Sequence, residues 1–239
     1  MAGRDLTDTE KRALKGRDSD VASFLEKVRQ MPAPARAGSA RGRLVFALDA
    51  TMSRQPTWDH AIALQGDMFT EAGKLGGLDV QLVYFRGLSE CRASRWTSDA
   101  EGLKGFMTQI ACRGGHTQIR KVLAHAVREA EKGPVSAVVY IGDAMEEPID
   151  TLCARAGELA LRNVRTFMFQ EGRDPVAENA FREVARITGG GYERFDLSSA
   201  ARLRELLKAV AAYAAGGLKA LESQGDAGRL LLRQIRPGR

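Results

Sequence analysis

The sequence has 239 residues, 44% hydrophobic and 28% charged, with a formal net charge of +6. Those proportions are ordinary for a globular chain long enough to bury one α/β core, and no apolar run approaches the ~20 residues needed to span a bilayer. The basic excess sits at the ends: residues 1–43 carry ten Lys/Arg against six Asp/Glu, residues 225–239 four Arg against one Asp, and the stretch between them 22 against 23. A nucleic-acid binder usually carries a basic stripe with interleaved aromatics on its folded part, so nucleic acid is not the expected partner. The ends read as solvated, with contact to an acidic partner, nucleic acid or membrane surface as the other reading. The polar start, Met-Ala-Gly-Arg-Asp-Leu-Thr-Asp, has no apolar signal-like core. Cys91, Cys112 and Cys153 are odd in number and form no C-x-x-C, which predicts reduced thiols and a cytoplasmic setting.

Residues 1–42 read as an extension. Asp18-Ser19-Asp20 caps a short amphipathic helix carrying Val21, Phe24, Leu25 and Val28, and the Pro/Ala/Gly-rich stretch 31–40 reads as a linker. Leu44 to Leu48 is a strand candidate ending in Asp49. Pro56 and Thr57 then open a helix with Trp58, Ile62, Met68, Phe69, Ala72 and Leu75 at helical spacing, stopped by Gly76-Gly77. Leu78 to Phe85 alternates as a strand, and Glu90 to Trp96 reads as a short edge strand after a turn at Arg86-Gly87. Leu103, Phe106, Met107 and Ile110 form the next helical stripe, and the loop from Cys112 to Thr117 leads into a helix carrying Ile119, Val122, Leu123, Ala126 and Val127.

Ala137 to Ile141 is continuous and β-branched, as buried parallel strands are, and runs into Gly142-Asp143. A helix through Ile149, Leu152 and Leu159 follows, then a strand from Val164 to Phe169. Another helix carries Val176, Phe181 and Val184 and breaks at Gly189-Gly190-Gly191. A last strand, Tyr192 to Phe195, precedes a helix with Leu203, Leu206, Leu207, Val210 and Tyr213. This alternation predicts a doubly wound α/β fold: a mostly parallel sheet, one short antiparallel edge strand, and helices on both faces. The domain is expected over residues 43–222, with 223–239 as a basic tail. In such a fold ligands gather at the carboxyl ends of the strands.

Three polar loops fall there: Asp49-Ala50-Thr51-Met52-Ser53, Gly114-Gly115-His116-Thr117, and Gly142-Asp143. Each alone has a plain structural reading, as a turn, a Gly-rich connection, or a helix cap. Their joint order is the signal. Residues i, i+2 and i+4 of an extended segment aim Asp49, Thr51 and Ser53 the same way. Arg54, His116, Glu146 and Glu147 are candidates for the rim or for contact with a partner, while His60 and His125 read as surface or core fillers. Gly189–Gly191 lacks phosphate-loop order, and no P-loop, nucleophile-elbow or zincin motif occurs.

D-x-T-x-S after the first strand, Thr in a Gly-rich loop, and Asp after the strand Ala137 to Ile141 resemble the metal-ion-dependent adhesion site (MIDAS) of von Willebrand factor A (VWA) domains. Thr51 stands where the family usually has Ser, and Met52 where it has Gly. The resemblance implies that Thr51, Ser53 and Thr117 hold Mg²⁺ through hydroxyls, with Asp49 and Asp143 acting directly or through water; Mn²⁺ or Ca²⁺ are the other ions. Hard oxygen donors and only two carboxylates suit Mg²⁺ and leave a position for an incoming Asp or Glu. The implied function is an intracellular, metal-dependent protein-binding module without catalysis. The cytoplasmic bacterial members it resembles assemble with other proteins, in ATPase-linked and stress-response systems among others.

Two rivals stay open. A haloacid-dehalogenase-like, Mg²⁺-dependent phosphatase would use Asp49 as nucleophile and the Gly142-Asp143 region for the ion. That family expects a second Asp where Thr51 stands, and a hydroxyl cannot replace a carboxylic acid as proton donor. The other rival is a VWA-fold scaffold that binds through its ends and helix faces while the metal site stays idle.

Overall fold

Leu44 to Leu48 has no polar side chain on either face, so the strand it forms must be covered on both sides. A computed structural model describes residues 41–75, 77–195 and 200–235. In it, β1 (Gly42–Asp49) lies at the middle of a six-stranded sheet with β2 (Leu78–Arg86), β3 (Glu90–Ala93), β4 (Ala137–Gly142), β5 (Arg165–Glu171) and β6 (Gly191–Phe195), in the order β3-β2-β1-β4-β5-β6. Every neighbouring pair is parallel except β2 with β3, so β3 is the antiparallel edge. Arg86 pairs with Glu90 at the turn, and the edge extends by a bridge from Val80 to Thr97.

Alternation along β1 divides the core. Leu44, Phe46 and Leu48 pack under α1 (Gln55–Gly73), α2 (Ala100–Met107), α6 (Ala200–Glu222) and α7 (Gly225–Gln234), meeting Trp58, Met107, Leu206 and Leu231. Val45 and Ala47 face α3 (Ile119–Lys132), α4 (Ile149–Leu161) and α5 (Pro175–Thr188), against Val122, Leu152 and Phe181. Helices thus cover both faces, as the strand-helix alternation predicts.

Several boundaries follow from local chemistry. Asp174 caps α5, accepting from Val176 N at 2.7 Å and Ala177 N at 3.0 Å, and Pro175 occupies the first turn, where its missing N–H costs nothing. Gly189 ends α5 in the left-handed region (φ 65°), so the triple glycine is a helix stop followed directly by β6. Gly42 has a different reason: a Cβ there would lie 2.1 Å from the Ala214 carbonyl oxygen, so β1 and α6 approach closely only because that side chain is missing.

The chain departs from its sequence reading beyond residue 222. Residues 225–234, expected in a basic tail, form α7, where Leu231 is fully buried and Ala227 nearly so. Gln234 Oε1 accepts from Tyr192 N at 2.6 Å, tying α7 to β6. Arg229 and Arg233 are exposed one helical turn apart, so the charge that suggests a tail belongs to the solvent face of an amphipathic helix. The expected N-terminal helix and linker lie outside the described residues.

Phe181 is fully buried, with its ring edge-on to Tyr140 at 5.3 Å between centroids. Phe181→Ala is expected to lower unfolding stability by about 3–5 kcal/mol. Leu161→Ala, at a side chain 84% exposed, should stay within about 0.5 kcal/mol. Urea unfolding of both variants against wild type measures the contrast.

Candidate metal centre

Parallel pairing places the ends of β1 and β4 side by side, with Leu48 opposite Ile141, so the residues that follow, Asp49 and Asp143, enter the same crevice. The strand order reverses between these two strands, which is where open α/β sheets form their ligand crevice. Asp49 is 3% exposed, and its Oδ1 accepts from Thr51 N at 2.7 Å, an Asx-type turn that bends the chain sharply after the strand. A 3₁₀ turn over Met52–Arg54 then leads into α1.

The turn lines up the polar atoms. Thr51 Oγ1 lies 3.4 Å from Ser53 Oγ, and Ser53 Oγ donates to Asp143 Oδ2 at 3.4 Å. Thr51, Ser53 and Asp143 therefore form one connected chain of oxygens across the two strand ends, and Asp49 joins it through the Thr51 amide. Met52, which stands at the usual glycine position, is 63% exposed, so its side chain points to solvent and leaves these contacts uncrowded. The Arg54 side chain lies outside the described residues.

Thr117 reaches this edge by another route. Its loop is tied to β1 by Arg113 N donating to Ala50 O at 2.9 Å, and to the β2–β3 turn by His116 N donating to Gly87 O at 3.1 Å. A Cβ on Gly115 would sit 2.1 Å from Gly87 O, so only glycine allows that approach. Thr117 is 7% exposed and is clamped by Glu146: its N donates to Glu146 Oε2 at 2.9 Å, and its Oγ1 accepts from Glu146 N at 2.9 Å. Among the described residues its recorded hydrogen bonds go to Glu146, not to the Asp49–Asp143 chain.

Glu146, Glu147 and His116 thereby gain structural roles that their candidacy as rim residues did not include. Gln118, at the N-terminus of α3, gives that helix no side-chain cap. The Glu147 carboxylate does so from across the loop, accepting from Ile119 N and, at 3.2 Å, from Arg120 N, where it also meets the positive end of the helix dipole. Burial raises the Glu147 carboxyl, partly countered by those two amides. Glu146 is lowered, first by the Thr117 amide and then by His116, whose Nδ1 lies 3.2 Å away.

The donor set limits the ion it could take. No group of three or more His, Cys, Asp or Glu side chains suited to a metal occurs among the described residues. The cluster offers two carboxylates and hydroxyls, all hard oxygens, and the edge of an octahedron with ~2.1 Å bonds is about 3.0 Å, close to the 3.4 Å separations between neighbours here. The residues fit a small divalent cation.

A carboxylate absent from the sequence reading also reaches this edge. Glu171 closes β5, is 6% exposed, and accepts from the Thr57 hydroxyl on α1. An acid closing the strand after the apolar Phe167-Met168-Phe169 run was the available signal.

No protein-family model matches the sequence, and no curated protein matches it. Solved structures do. The VWA domain of SpRpn10 superposes with a TM-score of 0.54 at 11% identity, over 69% of this chain and 95% of that one. The fold is that of a VWA domain. An aerotolerance-related membrane protein from Bacteroides fragilis matches with a TM-score of 0.55 at 19% identity, over 70% of this chain and 96% of its own. Proximal thread matrix protein 1 from the mussel byssus, with zinc in its MIDAS motif, gives 0.57 at 13% identity, over 72% of this chain and 46% of that protein. At such identities the likeness is one of fold.

The Glu146 clamp predicts an acid effect. A carboxyl lowered in the folded state contributes stability that is present above its ordinary value of 4.5 and is lost as pH falls through the folded value. Glu146→Gln should be less stable than wild type at neutral pH, with the difference shrinking below about pH 4.5. Thermal melts of both proteins across pH 3 to 7 (roughly the span of carboxyl titration) read it directly.

Proposed function

We propose that this VWA domain binds a divalent cation, Mg²⁺ in the first place, at Asp49, Thr51, Ser53, Thr117 and Asp143, and through it a carboxylate of a partner protein. The observation that carries the reading is the oxygen chain from Thr51 through Ser53 to Asp143 at 3.4 Å steps. The VWA fold commonly serves as a protein-binding module, and one structure of the same fold holds zinc in its MIDAS motif. When bound, the cation would supply an electrophilic position for an acidic side chain.

The protein's own residues do the preparation. Asp49 is held in one orientation by the Thr51 amide, so little freedom is lost on binding. The Glu146 clamp fixes Thr117 with its hydroxyl already accepting one amide, which leaves an oxygen lone pair for an ion. Two carboxylates balance a divalent charge without excess, so an acidic partner is still attracted. Thr51, a neutral hydroxyl, stands where the phosphatase alternative needs a carboxylic acid, which weighs against hydrolysis. An intracellular setting belongs to the same proposal, on the odd number and wide spacing of Cys91, Cys112 and Cys153.

Mn²⁺ titration followed by electron paramagnetic resonance tests the site. Wild type should retain one Mn²⁺ that Mg²⁺ displaces. Asp49→Ala and Asp143→Ala should lose it with unchanged circular dichroism, and Asp150→Ala should keep it. Wild type that retains no Mn²⁺ would leave a scaffold with an idle site. Capture of a partner in Mg²⁺ but not in EDTA or by Asp49→Ala would establish recognition through the ion.

A further inference from the structure

The stretch between the charged ends is close to neutral in sum, yet the fold concentrates cations at one place on it. A cavity of about 360 Å³ opens between edge strand β3 and helix α3, lined by Cys91 and Arg92 from β3, by Arg120, Lys121, His125 and Arg128 from α3, and by Arg155 from α4. The α3 residues fall at i, i+1, i+5 and i+8, a single helix face, and Ala124 at i+4 leaves the middle of that face low.

These charges are only partly engaged: the Glu147 carboxylate acts on Arg120 and Lys121 without a close ion pair to either. Arg120 and Arg128 make no ion pair among the described residues, and Lys121 Nζ donates only to neutral acceptors, Ser89 O at 2.9 Å and Gln118 Oε1 at 2.8 Å. Arg92 lies 3.3 Å from Glu90, a carboxylate that Arg86 already holds at 2.9 Å. Arg155 has a partner, Glu158, at 2.7 Å. His125 is turned to Gln81 Oε1 at 2.8 Å, and burial lowers its pKa, so it adds hydrogen-bonding capacity more than charge. Burial pushes the Cys91 thiol up to about 11, against the pull of Lys121 and Arg128, so it adds no competing negative charge near neutral pH.

We propose that the cleft between β3 and α3 is a binding site for a phosphate monoester, gripped by Arg92, Arg120, Lys121 and Arg128. A phosphate dianion answers several cations at once where a single carboxylate would leave most of them unneutralised, and planar guanidinium forks match its oxygens. The cavity volume falls within the range of small-ligand pockets, so the phosphate can belong to a free metabolite or to a phosphorylated side chain of a partner. The site is separate from the proposed metal centre at the carboxyl ends of β1 and β4, and does not depend on it.

Calorimetric titration of the full chain with inorganic phosphate, a nucleoside monophosphate, a phosphoserine peptide and polyuridine, at low and at physiological salt, tests the proposal. The variants are Arg128→Glu and, as a control of equal charge change outside the cleft, Arg229→Glu on α7. Both side chains are exposed, so both variants should fold. Wild type should bind a phosphate monoester saturably, Arg128→Glu should bind it about tenfold or more weakly, and Arg229→Glu should match wild type. Preference for the monophosphate marks a metabolite site, and preference for the phosphopeptide marks a phosphorylated partner. The proposal is overturned if no monoester binds at low salt, if both variants weaken binding equally, or if only polyuridine binds.

Discussion

The parallel pairing of β1 with β4 is the constraint on which the candidate metal centre depends. Val45, Phe46, Ala47 and Leu48 are buried on both faces of the sheet, and each fully buried large side chain contributes roughly 1.5–3 kcal/mol. The burial fixes register, because a slip of one residue would exchange the two faces, moving Phe46 from the α1/α6 side to the α3/α5 side. With Leu48 held opposite Ile141, Asp49 and Asp143 have no freedom to separate. A surface-edge function is thus anchored by apolar packing several residues away.

The second support is electrostatic and lies in the two acids that follow Asp143. Glu146 clamps Thr117 and Glu147 caps α3, so the loop after β4 organises the loop before α3 without a shared strand. Each carboxylate takes backbone N–H groups that the Gly-rich loop and the helix start would otherwise leave without partners. Glycine completes the arrangement at one position, where Gly115 passes over the carbonyl of Gly87. Thr117 is therefore positioned by three loops, which is why its motif residue cannot be understood from its own segment.

Much of this was legible in the residues. The apolar runs of β1 and β4 declared themselves because strands buried on both faces carry few polar residues, and β2 showed itself by alternation. The order of Asp49, Thr51, Ser53, Thr117 and Asp143 located the candidate site, since strand ends alternate with loops at regular intervals. Other features were not legible. Arg229 and Arg233 suggested a tail because local composition weighs their charge, while the burial of Leu231 exists only when β6 and α6 are in place. The exposure of Met52 likewise depends on the direction of the turn.

Between residues 43 and 222, local chemistry in the sequence determined where most strands, helices and stops fall, because periodicity, capping residues and glycine act over a few positions. It also determined the donor types, two carboxylates and several hydroxyls, and hence a preference for hard cations. Tertiary structure alone decided which groups meet. It joined Ser53 to Asp143 across 90 residues, turned Glu146 and Glu147 inward as a clamp and a cap, and gathered cations from β3, α3 and α4 around one cleft. Such contacts are set by strand order and helix packing, and no window of sequence contains both partners.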